Sequence, residues 1–306
     1  MNLAPPVIGV LLNYRDARRS ETCIQSLLAD GAAGVFVWDN SADGAVSAGE
    51  LKHRLQGDVR VTLHVSPANV GFAVGVNLAV ERCLREHPGA WILIINNDAV
   101  LYGGAVNALR QALQENPAAL LAAPRIRQRD GFSGAVYHHC FTGLLFQQPR
   151  AGCSKHPSGC CLLFAPQRAE LPLFDEDFFM YGEDCALGLR YGGGGEIVYL
   201  SEVLVRHDGT ASSGLGSRFY EERMVSAHLI LASKLSSNPV GRSLYLGVRI
   251  LVLGARAVRR SLRFRSWVPI QALGWGARLA WWRDPLRDAA RRQAVQDRQP
   301  SPAQHR

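Results

Sequence analysis

The stretch WILIINNDAV, Trp91 to Val100, decides how this chain is read. Five apolar residues, Trp91 to Ile95, end abruptly in Asn96, Asn97 and Asp98. A run so short and uninterrupted suits a strand buried on both faces of a parallel sheet, and is too short for a helix. Open α/β sheets place their ligands at the carboxyl ends of their strands, so a carboxylate at this end is placed to hold a metal. The same three polar residues would also suit a turn and cap ahead of a helix starting near Gly104, and both readings stand at this point.

Outward from that strand, the first two hundred residues alternate strand, loop and helix, which predicts a mostly parallel α/β sheet. Val7 to Leu12 reads as the first strand, followed by a helix over Ser20 to Leu28 that starts near Ser20 or Thr22. Gly34 to Trp38 and Val61 to Val65 read as further strands, and NVGFAVGVNLAVERCL as a glycine-bearing turn entering a helix. Asn13, Asp39, Asn40, Asn69 and Asp98 fall at successive strand ends, which in a parallel sheet line one crevice. Gly71 and Gly75 match neither G-x-G-x-x-G nor the P-loop; a helix start with small residues either receives a diphosphate through its N–H groups or packs closely.

A second informative stretch runs from Phe174 to Gly214. Asp175, Glu176, Asp177, Glu183 and Asp184 interleave with Phe178, Phe179, Met180 and Tyr181, aromatic and apolar groups that favour burial. Desolvation and a neighbouring charge should raise the pKa of one of Glu183 and Asp184, which is how a general base is tuned; both would equally serve as capping acids for a helix over Cys185 to Arg190. His207 stands just past a later apolar run, and a lone histidine there is more often structural than a ligand.

The composition, 306 residues with 47% hydrophobic content, describes a globular chain able to bury a sizeable core. Seven cysteines, an odd number without C-x-x-C spacing, argue against a disulfide framework, and His138, His139, Cys140, Cys153, His156, Cys160 and Cys161 match no standard zinc spacing. A reducing cytosolic compartment fits, and the apolar run near the start lacks the cationic lead of a signal sequence. Charge is uneven. From Val240 onward there are fourteen arginines, no lysine and three aspartates, a local +11 against +8 for the whole chain. Arg242, Arg249, Arg256 and Arg263 recur every seven residues and so share a helical stripe. With the indole-rich stretch Trp267 to Trp282, this predicts a segment lying on an anionic membrane surface without spanning it, in preference to a packing helix or a nucleic-acid-binding tail. Arg291 to Arg306 reads as a frayed end.

Taken in order, NYR, WDNSADG, NVGFAVGVNLAV, INNDA, SGCCLLF, FDEDFFMYGEDCALGLR and VRHDGTAS resemble the family 2 inverting glycosyltransferases of GT-A fold, in particular a rhamnosyltransferase-like branch. The resemblance covers roughly residues 7 to 235. It implies that Asn13, Tyr14, Arg15 and Asp39 contact the nucleotide, that Asn69, Gly71, Phe72, Asn77 and Asn97 complete the nucleotide-sugar site, and that Asp98 and His207 hold Mg²⁺ or Mn²⁺. It also implies that Asp184 is the catalytic base, assisted by Glu183. Asn96 takes the first position of the family's D-x-D, and Cys185-Ala186-Leu187 replaces a more acidic stretch. The expected organisation is a catalytic domain over residues 1–235 and a basic amphipathic extension over 236–306. The expected donor is dTDP- or UDP-linked, with rhamnose favoured; the acceptor is a saccharide or lipid-linked saccharide met at the cytoplasmic face of the inner membrane, with no nucleic-acid partner. A nucleotidyltransferase would need a glycine-rich, lysine-bearing signature that NYRDARRS lacks, and a non-catalytic scaffold would be expected to have lost Asp98 and Asp184.

Overall fold

The structure is a computed structural model and describes residues 4–209, 214–282 and 284–299. Four strands, β1 (Val7–Asn13), β2 (Gly34–Asp39), β3 (Val61–Val65) and β4 (Trp91–Ile95), lie parallel in the order β3-β2-β1-β4. The helices α1 (Ala17–Ala29), α2 (Val46–Arg54) and α3 (Phe72–Glu86) connect them. Both β2 and β4 are buried along their whole length, which explains their unbroken apolar runs. Alternate residues feed two cores: Leu11, Val35, Val37, Leu93 and Ile95 pack on one face, and Val10, Phe36, Trp38, Ile92 and Ile94 on the other.

Past β4 the sheet becomes mixed. The short β5 (Ala99–Leu101) leads through α4 (Ala105–Glu115) to β6 (Leu121–Gln128) and its hairpin partner β7 (Gly131–Ser133). A small antiparallel sheet of β8 (Ala135–His139), β9 (Leu145–Phe146) and β10 (Cys153–Pro157) follows. Then β11 (Cys161–Phe164) inserts antiparallel between β4 and β6, with Cys161 opposite Ile95. The turn ahead of β11 is thereby delivered to the carboxyl end of β4. Helix α5 (Glu183–Tyr191) precedes β12 (Ile197–His207), a single strand where two apolar runs were read; β12 pairs parallel with β6 and antiparallel with β5.

The chain closes with α6 (Arg218–Lys234), α7 (Pro239–Phe264), α8 (Val268–Trp281) and α9 (Pro285–Arg298). Helix α6 packs against both α7 and α8. Buried ion pairs fasten the arrangement. Arg223 of α6 donates to the Asp284 carboxylate at the start of α9, with both side chains at most 4% exposed, and Glu221, fully buried, accepts from Arg256 and Arg260 of α7. The heptad arginines therefore differ from the sequence reading: Arg249 and Arg256 point into the protein, and Val240, Leu244, Leu251, Val258 and Leu262 are exposed on the opposite side of α7. Residues 291–298 are helical rather than frayed, since Arg298 binds Glu81 of α3 and Glu176. Helix α1 starts one turn earlier than read, capped by Asp16, whose carboxylate accepts from the Arg19 amide at 3.1 Å; Ser20 is spent elsewhere.

Candidate active site

Asn13 and Asp39 end β1 and β2 as register partners, both wholly buried, and the Asn13 amide donates to the Asp39 carboxylate. Ser20 of α1 donates to Asn13 Oδ1 at 2.7 Å and accepts from the Asn97 amide at 3.1 Å. One hydrogen-bond chain thus joins the ends of β2, β1 and β4. Ser41 donates to Asp39 and accepts from the Arg15 backbone amide at 2.9 Å. This holds Arg15 at a φ of 53° and leaves Tyr14 and Arg15 exposed at the rim. Asn40 accepts from the Val70 amide and donates to Asn69 Oδ1 and the Gly71 carbonyl, fixing the turn ahead of α3.

One residue expected at the nucleotide, Asn77, has its polar atoms engaged within the protein. Asn77 is fully buried: its amide donates to the Phe174 carbonyl at 2.8 Å and to Glu176, and its oxygen accepts from the Phe174 amide. It pins the acidic segment to α3 and turns no polar atom outward. Gly71, at φ +77°, allows the Phe72 amide to donate to the Phe179 carbonyl at 2.8 Å.

Asp98 and His207 meet across the β5–β12 pairing, where His207 sits opposite Ala99, and His207 Nε2 lies 3.0 Å from Asp98 Oδ1. Both side chains are less than 15% exposed. His207 Nδ1 and Asn96 Oδ1 are buried without partners among the described residues. A carboxylate, an imidazole and an unpaired amide oxygen at a strand end form a donor set that fits a divalent cation. The expected segment around His207 continues to Ser212, and residues 210–213 lie outside the described ones.

Glu183 and Asp184 open α5. The Asn96 amide donates to the Cys160 carbonyl at 2.8 Å, and the adjoining Gly159 lies against Asp184, whose Cβ would be 3.5 Å from a side chain there. Asp184 is thereby set beside the end of β4 with its side chain 29% exposed. Glu183 is 8% exposed with Oε2 unpartnered, and burial followed by the Asp184 charge pushes its pKa up to about 8. The other three acids of the segment are ion-pair partners of the C-terminal helices: Asp175 and Asp177 face Lys234, Asp177 also takes Arg291, and Glu176 takes Arg298.

Sequence reading assigns no site role to Ser20, read only as a helix start, to Ser41, or to His156, weighed only within a zinc spacing. A serine in a helix or after a strand is common and marks no role by itself; the positions of Ser20 and Ser41 against Asn13 and Asp39 appear only once α1 and β2 are folded together. His156 of β10 places Nε2 3.4 Å from the Cys185 thiol and Nδ1 3.9 Å from Asp184. Burial, and the Asp184 and Glu183 carboxylates beside it, push the Cys185 thiol well up. Cys160 and Cys161 are buried against the core.

Comparison with known proteins agrees with this geometry. Over 226 residues, 62% of this chain and 71% of the relative, the sequence is 29% identical to the N-acetylglucosaminyl-diphospho-decaprenol L-rhamnosyltransferase of Mycobacterium tuberculosis, in each of two strains. Among solved structures, S. aureus TarS 1-349 superposes with a TM-score of 0.52 at 12% identity, covering 95% of this chain and 88% of that one. GalNAc-T7 with UDP, GalNAc and Mn2+ superposes with a TM-score of 0.52 at 9% identity, covering 86% and 59%. At those identities the likeness is one of fold. The profile of glycosyl transferase family 2 matches residues 13–170, from the buried asparagine that ends β1 to just beyond β11, and the chain belongs to that family.

Proposed function

We propose that the chain is an inverting glycosyltransferase that moves a sugar, with rhamnose from dTDP-rhamnose favoured, onto a lipid-linked saccharide during cell-surface polysaccharide synthesis. The observation that carries this reading is the convergence of three groups on one crevice: the buried Asn13–Asp39 pair, the Asp98–His207 pair at 3.0 Å, and Asp184 beside Gly159. The rhamnosyl donor and the diphosphate-linked GlcNAc acceptor are drawn from the name of the mycobacterial relative.

In this reading, Asn13 and Asp39 meet the nucleoside, with Tyr14 and Arg15 at the rim, and the turn of Asn69, Gly71 and Phe72 carries the donor. An acceptor hydroxyl attacks the anomeric carbon from the face opposite the nucleotide. The bond to the diphosphate breaks, and the hydroxyl proton passes to Asp184. Glu183, mostly protonated at neutral pH, can donate a hydrogen bond to the acceptor and orient it. A single displacement inverts the anomeric centre and requires no covalent enzyme intermediate. Mg²⁺ or Mn²⁺ held by Asp98 and His207 would offset the charge that develops on the departing diphosphate.

The lipid-linked acceptor brings the site to a bilayer surface. Among the described residues no helix is long and apolar enough to cross a membrane. Helix α7 instead turns Val240, Leu244, Leu251, Val258 and Leu262 outward, with Arg259 exposed at the edge of this stripe and Trp267 and Trp282 exposed at the ends of α8. An apolar stripe flanked by arginine and indole suits the headgroup region of an anionic leaflet. The residues after 235 would therefore act as the membrane-facing part of the enzyme.

Thermal unfolding with dTDP, UDP, GDP and ADP, each with and without Mn²⁺ or Mg²⁺, tests the donor site. A nucleotide at about 100 times its dissociation constant adds roughly 2.7 kcal/mol. A metal-dependent shift with dTDP or UDP that disappears in Asp98→Ala is expected. No shift with any nucleotide would overturn the proposal.

A further inference from the structure

We infer that His156, Asp184 and Cys185 form a second cation site, selective for a thiophilic divalent ion such as Zn²⁺, and that its occupation switches the transferase off by capturing Asp184. One ligand atom from each of the three lies within 4.8 Å of the others. His156 Nδ1 donates to the Pro157 carbonyl at 2.9 Å, which fixes the tautomer and leaves the Nε2 lone pair directed at Cys185 Sγ, 3.4 Å away. A backbone carbonyl behind the far ring nitrogen is the usual support of a ligating histidine. Ligand bonds of about 2.0 Å to nitrogen and about 2.3 Å to sulfur, set at a tetrahedral angle, place those two atoms about 3.5 Å apart. Nitrogen and sulfur here are therefore already at chelating separation.

The frame is rigid. Gly188 of α5 crosses β10 so closely that a Cβ there would lie 2.2 Å from His156 Cβ, so neither element can slide. His156 and Cys185 are buried, and Asp184, with its side chain 29% exposed and Oδ2 3.9 Å from His156 Nδ1, would complete the site by turning its carboxylate toward an ion on the Nε2 side, the exposed edge giving that ion its way in. The ligand set differs in kind from Asp98 and His207. Oxygen and one imidazole suit Mg²⁺ or Mn²⁺ beside a diphosphate, whereas thiolate selects softer ions. Binding would displace the Cys185 proton to solvent and occupy an Asp184 lone pair, so that the carboxylate no longer takes a proton from an acceptor. The inhibitory half rests on Asp184 being the base; the metal site does not.

Titrating the full-length protein with Co²⁺, a spectroscopic stand-in for Zn²⁺, tests the site without any assay of transfer. One equivalent should give a near-ultraviolet sulfur-to-cobalt band that is kept in Asp98→Ala and lost in Cys185→Ser. No band, or one that survives Cys185→Ser, overturns the site. In the transfer assay with Mg²⁺, Zn²⁺ should inhibit, and Cys185→Ser should raise the half-inhibitory concentration roughly 10-fold or more, at least the loss seen when a supporting partner of a metal ligand is removed. A Cys185-dependent band with no effect of Zn²⁺ on transfer would leave the metal site standing and overturn the switch, and with it the assignment of Asp184.

Discussion

Gly71 and Phe179 touch backbone to backbone. The Phe72 amide donates to the Phe179 carbonyl at 2.8 Å, and a Cβ on residue 71 would lie 2.3 Å from that oxygen. This contact fastens the turn before α3, on the donor side, to the aromatic segment that leads into Glu183 and Asp184. Phe179 is backed in turn by the Arg223 guanidinium, 4.5 Å from its ring centre.

Gly71→Ala should therefore damage both halves of the site at once. The glycine has φ +77° and ψ −173°, a region all but closed to side chains, and alanine would add a clash with a carbonyl that cannot retreat without breaking its hydrogen bond. Strain and overpacking together should cost roughly 3 kcal/mol or more. Urea denaturation of the two proteins measures it; a loss under 1 kcal/mol would mean that the contact is loose.

Asp184→Asn and Glu183→Gln should separate the two acids. The first removes the proton acceptor and should lower turnover by a factor on the order of 10³, with nucleotide binding retained. The second mimics the protonated form that Glu183 holds below pH 8, so it should keep most activity at pH 7 and flatten any change in rate as pH rises through about 8. Initial rates across pH 6 to 9 distinguish them, and equal turnover of Asp184→Asn and the unmodified protein would remove Asp184 from its assigned role.

Much of this was legible in the chain, for reasons particular residues make plain. Trp91–Ile95 gave a strand at the bounds found because a strand buried on both faces leaves a continuous apolar signal, whereas the half-exposed edge strand Val61–Val65 shows instead in the alternation of Val61, Leu63 and Val65 with Thr62 and His64. Of the polar residues at the strand ends, Asn13, Asp39 and Asn97 are joined in one hydrogen-bond chain through Ser20. The antiparallel β11 was not legible, since SGCCLLF carries no mark of strand direction, and neither was Asn77, whose amide is used internally. Of the four heptad arginines of α7, Arg242 and Arg263 are exposed, whereas Arg249 and Arg256 are turned inward, contrary to the reading. A seven-residue period fixes that Arg249 and Arg256 share a face, but only the partners, Glu221 for Arg256 and the carbonyls of Cys140 and Phe141 for Arg249, decide that this face is inward.

Arg249 also predicts a pH response. It is fully buried, bonds His228 Nδ1 at 3.0 Å and approaches His138 Nε2 at 3.5 Å, and among the described residues no carboxylate is bonded to it. Burial first, and the Arg249 cation second, push both imidazoles from 6.5 down to about 3; Arg256 beside His228, and His139 and His156 near His138, add to it. The folded protein then binds fewer protons than the unfolded chain between those values, so stability is present above pH 6.5 and falls as pH drops toward 3. The slope from the pair reaches up to about 2.7 kcal/mol per pH unit. Ring-proton NMR should find both histidines neutral at pH 5, and a normal titration of either near 6.5 would refute the buried placement.

The Arg223–Asp284 pair should be strongly asymmetric to mutation. With both side chains at most 4% exposed, Asp284→Ala leaves a buried cation without its counterion and should cost about 3–5 kcal/mol. Replacing both by apolar residues of similar size, Arg223→Met with Asp284→Leu, should recover most of that loss. A double-mutant cycle by chemical denaturation reads the coupling; additive losses would place the pair in water.

The outward stripe of α7 should govern membrane binding, and the inward arginines should not. On a helix of 3.6 residues per turn, Val240, Leu244, Leu251, Val258 and Leu262 fall within a narrow arc opposite Arg249 and Arg256. If this arc enters the headgroup region, each large aliphatic side chain withdrawn from water contributes roughly 1.5–3 kcal/mol when fully buried. Leu251→Asp with Leu262→Asp adds two charges where an anionic leaflet repels them, on residues 76% exposed whose loss leaves the packed face untouched. Co-sedimentation with vesicles containing anionic lipid should fall by 10-fold or more in this double variant, at unchanged unfolding temperature. Binding that persists in the variant and vanishes only at high salt would move the contact from the apolar stripe to exposed arginine such as Arg259, leaving the helix lying above the bilayer rather than in it.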